Sequence, residues 1–127
     1  MISIIKVGRI KLRRVYDPAG RIDGVRILVD RLWPRGLSRD DACIDQWVKD
    51  LAPSNELRKW FGHDPARWDE FRARYAAELN RHSDQVKELR ELARKGTITL
   101  VYSAHDEARN NAVVLRDFIL GKINLVE

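Results

Sequence analysis

Two arginines flank a tryptophan in segment 29–36, which directly follows an apolar run. The guanidinium groups of Arg31 and Arg35 are planar donors that can bind a carboxylate or a phosphate through two parallel hydrogen bonds. Trp33 offers a flat ring face to a base or a cation, and Asp30 adds a carboxylate. These four residues predict a binding site for an anionic or planar ligand. A structural role is the alternative, in which carboxylates pair with the arginines and Trp33 fills the core.

A second polar cluster begins where another apolar run ends, at Tyr102. Ser103 is a candidate nucleophile and His105 a candidate base, but residues two apart in an extended stretch point to opposite sides. We therefore predict no Ser-His dyad. Asp106 is predicted to cap the next helix, which places Asn110 one turn into it, still within reach of the crevice. Tyr102, Ser103 and Asn110 are candidate catalytic residues, and the alternative for Tyr102 is a buried aromatic side chain.

A third group lies around Gly62, which is predicted to end a helix. His63 follows it and is a candidate for proton transfer, because its charge changes near neutral pH. Arg58 could contact the same anion or pair with Glu56 or Asp64. The three histidines lack metal-ligand spacing, so no metal and no other cofactor is predicted. The glycine-rich phosphate-binding motifs, HExxH and GxSxG are also absent, which disfavours dinucleotide-binding, metalloprotease and serine-hydrolase functions.

Strands and helices alternate along the chain and must position these groups. Polar and apolar residues alternate over 9–13, and two apolar runs, 25–29 and 97–102, are typical of buried strands. Helices are predicted from Ser54 to Gly62, from Asp64 to Lys95 with a break near residues 82–83, and from Asp106 to Gly121. Segment 38–48 is compatible with a helix start or an extended chain, and 123–126 could add a strand.

This order of elements predicts an α/β, single-domain layered fold over residues 1–127, with a central, largely parallel sheet flanked by helices. Ligands of such sheets bind outside the carboxyl ends of the strands. The Arg31–Arg35 loop and the Tyr102 cluster both follow strand ends, so we expect them to face one crevice.

Composition limits the class of protein. The 127 residues include one cysteine, so no disulfide can form within the chain. The sequence shows no signal peptide and no apolar run of membrane-spanning length, which predicts a cytoplasmic protein that does not bind membranes. The net charge of +5 is uneven, since residues 1–39 hold ten Lys and Arg against three Asp and Glu. These excess basic residues either attract anions or lie on the solvated surface of an edge strand.

The chain resembles the YeaO-like branch of the domain-of-unknown-function family 488 (DUF488). The resemblance rests on segments 29–36, 51–54, 57–64 and 100–115, with Phe71, Arg74-Tyr75 and Glu78-Leu79. It implies an α/β fold and no settled activity. The wider family has a cysteine at the end of its last core strand and a Cys-His-Arg triplet in the next helix, aligned here with Tyr102 and with residues 110–112. No cysteine-based mechanism is therefore carried over to this chain.

The leading hypothesis is a crevice for an anionic, phosphate-bearing or nucleotide-like ligand, clamped by Arg31, Arg35 and Arg58. An enzyme of this kind would be a hydrolase or transferase acting at a phosphate or glycosidic centre. One rival is a nucleic-acid-binding module that uses the basic N-terminal third. Another is a non-catalytic domain that binds a partner protein through the arginines. The oligomeric state is not indicated.

Overall fold

The computed structural model describes residues 9–122, which contain a four-stranded sheet. The strands are β1 (Ile10–Arg14), β2 (Val25–Leu28), β3 (Gln46–Trp47) and β4 (Ile98–Tyr102), in the spatial order β1-β4-β2-β3. Every neighbouring pair is parallel, and Leu100 of β4 aligns with Leu12 on one side and Ile27 on the other. The predicted α/β fold with a central parallel sheet is confirmed. All four carboxyl ends therefore lie at one edge.

Within the described residues five helices flank this sheet, and three of them begin after a Ser or Asn whose side chain caps the helix. They are α1 (Arg39–Ala42), α2 (Asn55–Phe61), α3 (Trp68–Asn80), α4 (Ser83–Lys95) and α5 (Asn111–Ile119), with short 3-10 turns at Lys49–Leu51 and Pro65–Arg67. The Ser54 hydroxyl accepts a hydrogen bond from the backbone N–H of Leu57, and Gly62 ends α2 in the left-handed conformation, as predicted. Among these described helices, none has the length and apolar character needed to cross a bilayer.

The start of the last helix differs from the prediction. Asp106 does not cap α5, because its carboxylate accepts from the N–H groups of Ala108 and Arg109 in a local turn. Asn110 is the N-cap instead, and its side chain accepts from the N–H of Val113 at 3.1 Å. Segment 38–48 contains both alternatives, since α1 is followed by the extended β3. The strand predicted at 123–126 lies outside the described residues.

A buried ion pair fastens the turn before β2. Asp23 is 1% exposed and its Oδ2 lies 2.6 Å from Nη1 of Arg26. The same guanidinium donates to the carbonyl oxygens of Cys43 at 2.9 Å and Ala42 at 3.1 Å. One buried arginine thus joins this turn to the end of α1.

The protonation of Asp23 depends on these contacts. Burial by itself raises the pKa of Asp23, because it disfavours the charged form. Hydrogen bonds from the backbone N–H of Gly20 and from Arg26, with the charges of Arg13 and Arg26, outweigh burial and hold the pKa below its usual value. Asp23 is therefore an ionised structural carboxylate.

Candidate functional site

A cleft of about 1020 Å³ opens at the carboxyl edge of the sheet, beyond β1, β2 and β4 and beside α2. Eight of the nine predicted site residues line it: Asp30, Arg31, Trp33, Arg35, Arg58, His63, Ser103 and Asn110. The two loops that were expected to face one crevice do share it. We call this space the cleft.

Asp30 organises the bottom of the cleft. Its Oδ2 accepts from the backbone N–H of Ser103 at 2.9 Å and from the Ser103 hydroxyl at 2.6 Å. Its Oδ1 accepts from the Asn111 amide at 3.0 Å, and that amide also donates to the carbonyl oxygen of Val29. The carboxylate thus joins the end of β2 to the loop after β4 and to the start of α5.

Tyr102 does not line the cleft. It is 3% exposed, and its carbonyl oxygen accepts from the N–H of Val15 beside β1. Burial raises the pKa of the Tyr102 phenol, and the charge of Glu107 adds to the effect. The burial of Tyr102 agrees with the alternative prediction of a buried aromatic side chain, and its role stays a prediction. Asn110 lines the cleft but caps α5, so both of its amide atoms are engaged with the backbone.

Two arginines in the cleft are anchored to backbone carbonyls. Arg31 donates from Nε to Pro53 at 3.0 Å and from Nη2 to Ala52 at 3.2 Å, which fixes the segment that leads into α2. Arg14 donates from Nε to the carbonyl oxygen of Ala104 at 2.9 Å. These bonds hold the guanidinium groups in place, and neither group forms an ion pair with a carboxylate within residues 9–122.

Three further cations of the cleft are exposed. Arg35 is the last residue of the Arg31–Arg35 loop, and its backbone carbonyl oxygen accepts a hydrogen bond from the Tyr16 hydroxyl at 3.0 Å. Arg58 and Lys59 extend from α2, and the Arg58 guanidinium donates a hydrogen bond to the Asn55 side-chain oxygen at 3.4 Å. Their side chains can therefore move towards a ligand at little cost.

Charge in the cleft is unbalanced. Five cations line it: Arg14, Arg31, Arg35, Arg58 and Lys59. Eight ion pairs occur within residues 9–122, and none of them involves any of these five. The two carboxylates of the cleft already accept hydrogen bonds, Asp30 from Ser103 and Asn111 and Asp106 from the N–H groups of its own loop. The alternative in which carboxylates lock Arg31 and Arg35 is thus not what the structure contains.

Trp33 makes mainly packing contacts. Its indole N–H donates to the carbonyl oxygen of Leu37 at 2.7 Å, and its ring meets Trp47 edge-on with centroids 5.4 Å apart. It packs on a small core cluster that includes Val15 and Val101. This partly buried position agrees with the predicted alternative of a packing role, although Trp33 also lines the cleft, so its role stays a prediction.

His63 lies at the rim in an uncommon backbone conformation. Its φ is 57°, in the left-handed region that few residues other than glycine adopt. Gly62, immediately before it, has a φ of 54°, so α2 ends in two consecutive left-handed residues. This change in chain direction places the exposed imidazole at the cleft, and its ring centroid lies 6.1 Å from that of Phe61.

Residues 9–127 match the family described as the inactive DUF488-N3 subclade. The chain belongs to this family. The uncharacterised protein YeaO of Escherichia coli K12 is 47% identical over 110 residues, which cover 87% of this chain and 96% of YeaO. The uncharacterised protein Rv3073c of Mycobacterium tuberculosis H37Rv is 41% identical over 119 residues, 94% of this chain and all of that protein. No solved structure matches the chain significantly.

Within this DUF488 chain, the charged and polar residues of the cleft that the sequence analysis did not single out include Arg14, Tyr16 and Lys59. Arg14 belongs to the basic N-terminal third, for which anion attraction and the solvated surface of an edge strand were both left open, and it is the last residue of β1. The rule that located the other two loops, applied to the end of β1, would have found Arg14 and Tyr16. Asn111 belongs to the polar cluster that follows Tyr102, but its contact with Asp30 spans 81 residues of sequence and could not be predicted from a local pattern.

Proposed function

We propose that the cleft binds a phosphate-bearing anion, and that this DUF488 protein acts by binding its ligand rather than by nucleophilic catalysis. The observation that carries the proposal is the set of five cations that line one cleft and form no ion pair within the described residues 9–122. Unpaired cations in a concave site concentrate anions and strengthen charge-assisted hydrogen bonds to them. Exposed Arg35 and Arg58 supply the contacts, while Arg14 and Arg31 add charge from fixed positions.

The polar groups at the bottom of the cleft favour binding over reaction. Ser103 would need a base to become a nucleophile, but its hydroxyl donates to Asp30, and that carboxylate already accepts two other hydrogen bonds. Neither His63 nor His105 makes a side-chain hydrogen bond within residues 9–122, and so neither is paired with Ser103. The description of the subclade as inactive agrees with a binding role.

Nucleic acid bound through the basic N-terminal third is the rival ligand. Part of that basicity is used inside the fold, since Arg26 is buried against Asp23 and Arg13 lies 3.4 Å from the same carboxylate. The Arg9 guanidinium donates to the carbonyl oxygen of Arg94. These contacts reduce the charge that the N-terminal third can offer to a polyanion, which is why a small anion in the cleft is preferred.

Replacing Arg35 with alanine is expected to weaken phosphate binding by about tenfold, the effect of losing one charged contact worth roughly 1.4 kcal/mol. Stability without ligand should change little, because Arg35 is exposed and has no carboxylate partner among the described residues. Thermal shift and calorimetric titration with inorganic phosphate, a mononucleotide, a nucleoside and a short oligonucleotide would measure both. A ligand at about 100 times its Kd adds roughly 2.7 kcal/mol of stability.

Arg72→Ala is the matched control, since Arg72 lies on α3, outside the cleft, in an exposed pair with Asp69. Equal losses in Arg35→Ala and Arg72→Ala would attribute binding to general surface charge and overturn the proposal. Oligonucleotide binding that falls steeply with salt and is unaffected by Arg35→Ala would favour the nucleic-acid alternative. Any ligand found should also be incubated with the protein, and its conversion at a rate dependent on Ser103 would contradict the binding-only role.

A further inference from the structure

Exposed apolar side chains are concentrated at the cleft. Across residues 9–122, three large hydrophobic side chains are exposed: Tyr16 at 44%, Ile22 at 69% and Leu32 at 59%. Tyr16 and Leu32 line the cleft, and Ile22 does not. Apolar surface grouped in a concave site usually marks a place where a ligand or partner is bound.

This apolar surface adjoins the cations. The Arg14 guanidinium lies over the Tyr16 ring, 5.3 Å from its centroid, and the Tyr16 hydroxyl donates to the carbonyl oxygen of Arg35. Leu32 follows Arg31 directly in the chain. Deeper in the cleft, Phe61 continues the apolar wall. A ligand that filled this space would meet positive charge and hydrocarbon together.

We propose that the ligand is an organic phosphate monoester whose apolar, carbon-rich part lies against Tyr16 and Leu32 while its phosphate meets the arginines. This inference rests on the proposed function and specifies the ligand class. Inorganic phosphate alone would leave Leu32 in water and most of the roughly 1020 Å³ empty. Pockets of this size typically enclose whole organic molecules of drug-like dimensions. Covering the apolar side chains adds hydrophobic free energy that a bare anion cannot provide.

A second copy of the chain is a poorer occupant of the same surface. A two-fold contact through the cleft would bring together the five cations of each copy that form no ion pair within residues 9–122. Like charges facing one another across an interface oppose association. An anionic ligand with an apolar body satisfies both features of the cleft, whereas self-association satisfies only one.

The test compares inorganic phosphate with three monoesters: phenyl phosphate, hexyl phosphate and glycerol phosphate. We expect phenyl phosphate, hexyl phosphate or both to bind about tenfold tighter than inorganic phosphate, since burial of one large apolar side chain contributes at least that factor. Glycerol phosphate, whose body is polar, should show no gain. A gain with only the phenyl ester identifies a flat ring as the apolar part, and a gain with only the hexyl ester identifies a chain.

Leu32→Ser should reduce the ratio of ester affinity to phosphate affinity by roughly threefold or more. The affinity for inorganic phosphate itself should not change. Ile22→Ser is the matched control, because Ile22 is the exposed hydrophobic side chain outside the cleft. It should leave both affinities unaltered. Both substitutions replace exposed side chains, so the fold is retained.

The measurements distinguish a wrong ligand class from a wrong proposed function. If neither phosphate nor any ester binds, the proposed function itself is wrong. If inorganic phosphate binds in an Arg35-dependent way but all esters bind equally well, the anion site stands and the apolar ligand class is wrong. Concentration-dependent association in sedimentation velocity that Leu32→Ser abolishes, without any gain from the esters, would assign the apolar surface to a protein contact and overturn the inference.

Discussion

Replacing Asp23 with alanine is expected to lower the free energy of unfolding by about 3–5 kcal/mol, because it leaves a buried guanidinium without its counter-charge. Arg26 would remain inside the protein, bound only to the carbonyl oxygens of Ala42 and Cys43. A domain of this size is stabilised by roughly 5–15 kcal/mol in total. The melting temperature should therefore fall by on the order of 10–20 °C. Urea unfolding followed by far-UV circular dichroism would measure the loss.

The same carboxylate should contribute to acid sensitivity. The pKa of Asp23 is lower in the folded protein than in the unfolded chain, so folding favours its ionised form. The stabilisation is therefore fully present above the unfolded-state pKa of about 4, and is lost as the pH falls through the lower folded-state pKa. Asp23→Ala should show a shallower decline in stability below about pH 4 than the unmodified protein.

Asp69→Ala provides the comparison, since Asp69 also pairs with an arginine but is exposed on α3. Exposed pairs contribute little, and the substitution should leave both the stability and its acid dependence nearly unchanged. A double variant, Asp23→Ala with Arg26→Met, should recover part of the loss, because the unpaired buried charge is gone. If Asp23→Ala is no more destabilising than Asp69→Ala, the buried pair does not have the structural role assigned to it.

Pattern-based reasoning located the strands that end at the cleft. The apolar, β-branched runs that became β2 and β4 are long enough to be recognised as buried strands, and their boundaries were predicted to within one residue. Parallel strands place their carboxyl ends together, so the loop at Arg31–Arg35 and the loop at Ser103 had to meet. This step requires only the topology, which is why it succeeded without any information on side-chain contacts.

The hydrogen-bond partners of the cleft side chains could not be predicted in the same way. Asp106 and Asn110 are both good capping residues, and each precedes an apolar helical stripe. Which of them caps α5 depends on where the helix packs against α3, a contact between distant parts of the chain. The same limit applies to Arg31. An arginine that binds a ligand and an arginine that donates to the carbonyl oxygens of residues 52–53 look the same in the sequence.

Asp30 is the second residue whose replacement should have a large effect. Asp30→Ala removes the acceptor of three hydrogen bonds, two from Ser103 and one from Asn111. Because bonds to a charged group contribute about 1.5–3 kcal/mol each, and water can enter the open cleft to replace some of them, we expect a net loss of about 2–3 kcal/mol. Chemical denaturation would measure it, with Asp69→Ala again as the exposed control.

Asp30→Asn separates the charge of this residue from its shape. An asparagine can still accept from Ser103, but its amide meets the Asn111 amide donor to donor, so part of the stability loss should remain. The negative charge, however, is gone from a site built for anions. A unit charge roughly 6 Å from a bound phosphate, in a water-like dielectric, contributes about 0.7 kcal/mol of repulsion.

Phosphate should therefore bind Asp30→Asn about threefold more tightly than the unmodified protein, even though the variant is less stable. Calorimetric titration at low ionic strength, well below the melting temperature of the variant, measures this rise, and added salt should diminish it. Weaker binding of phosphate by Asp30→Asn would point to a chemical role for the carboxylate. If Asp30→Asn folds and yet binds phosphate more weakly, the carboxylate itself assists the ligand, through Ser103 or by holding a proton. The site would then be built for reaction rather than for binding alone.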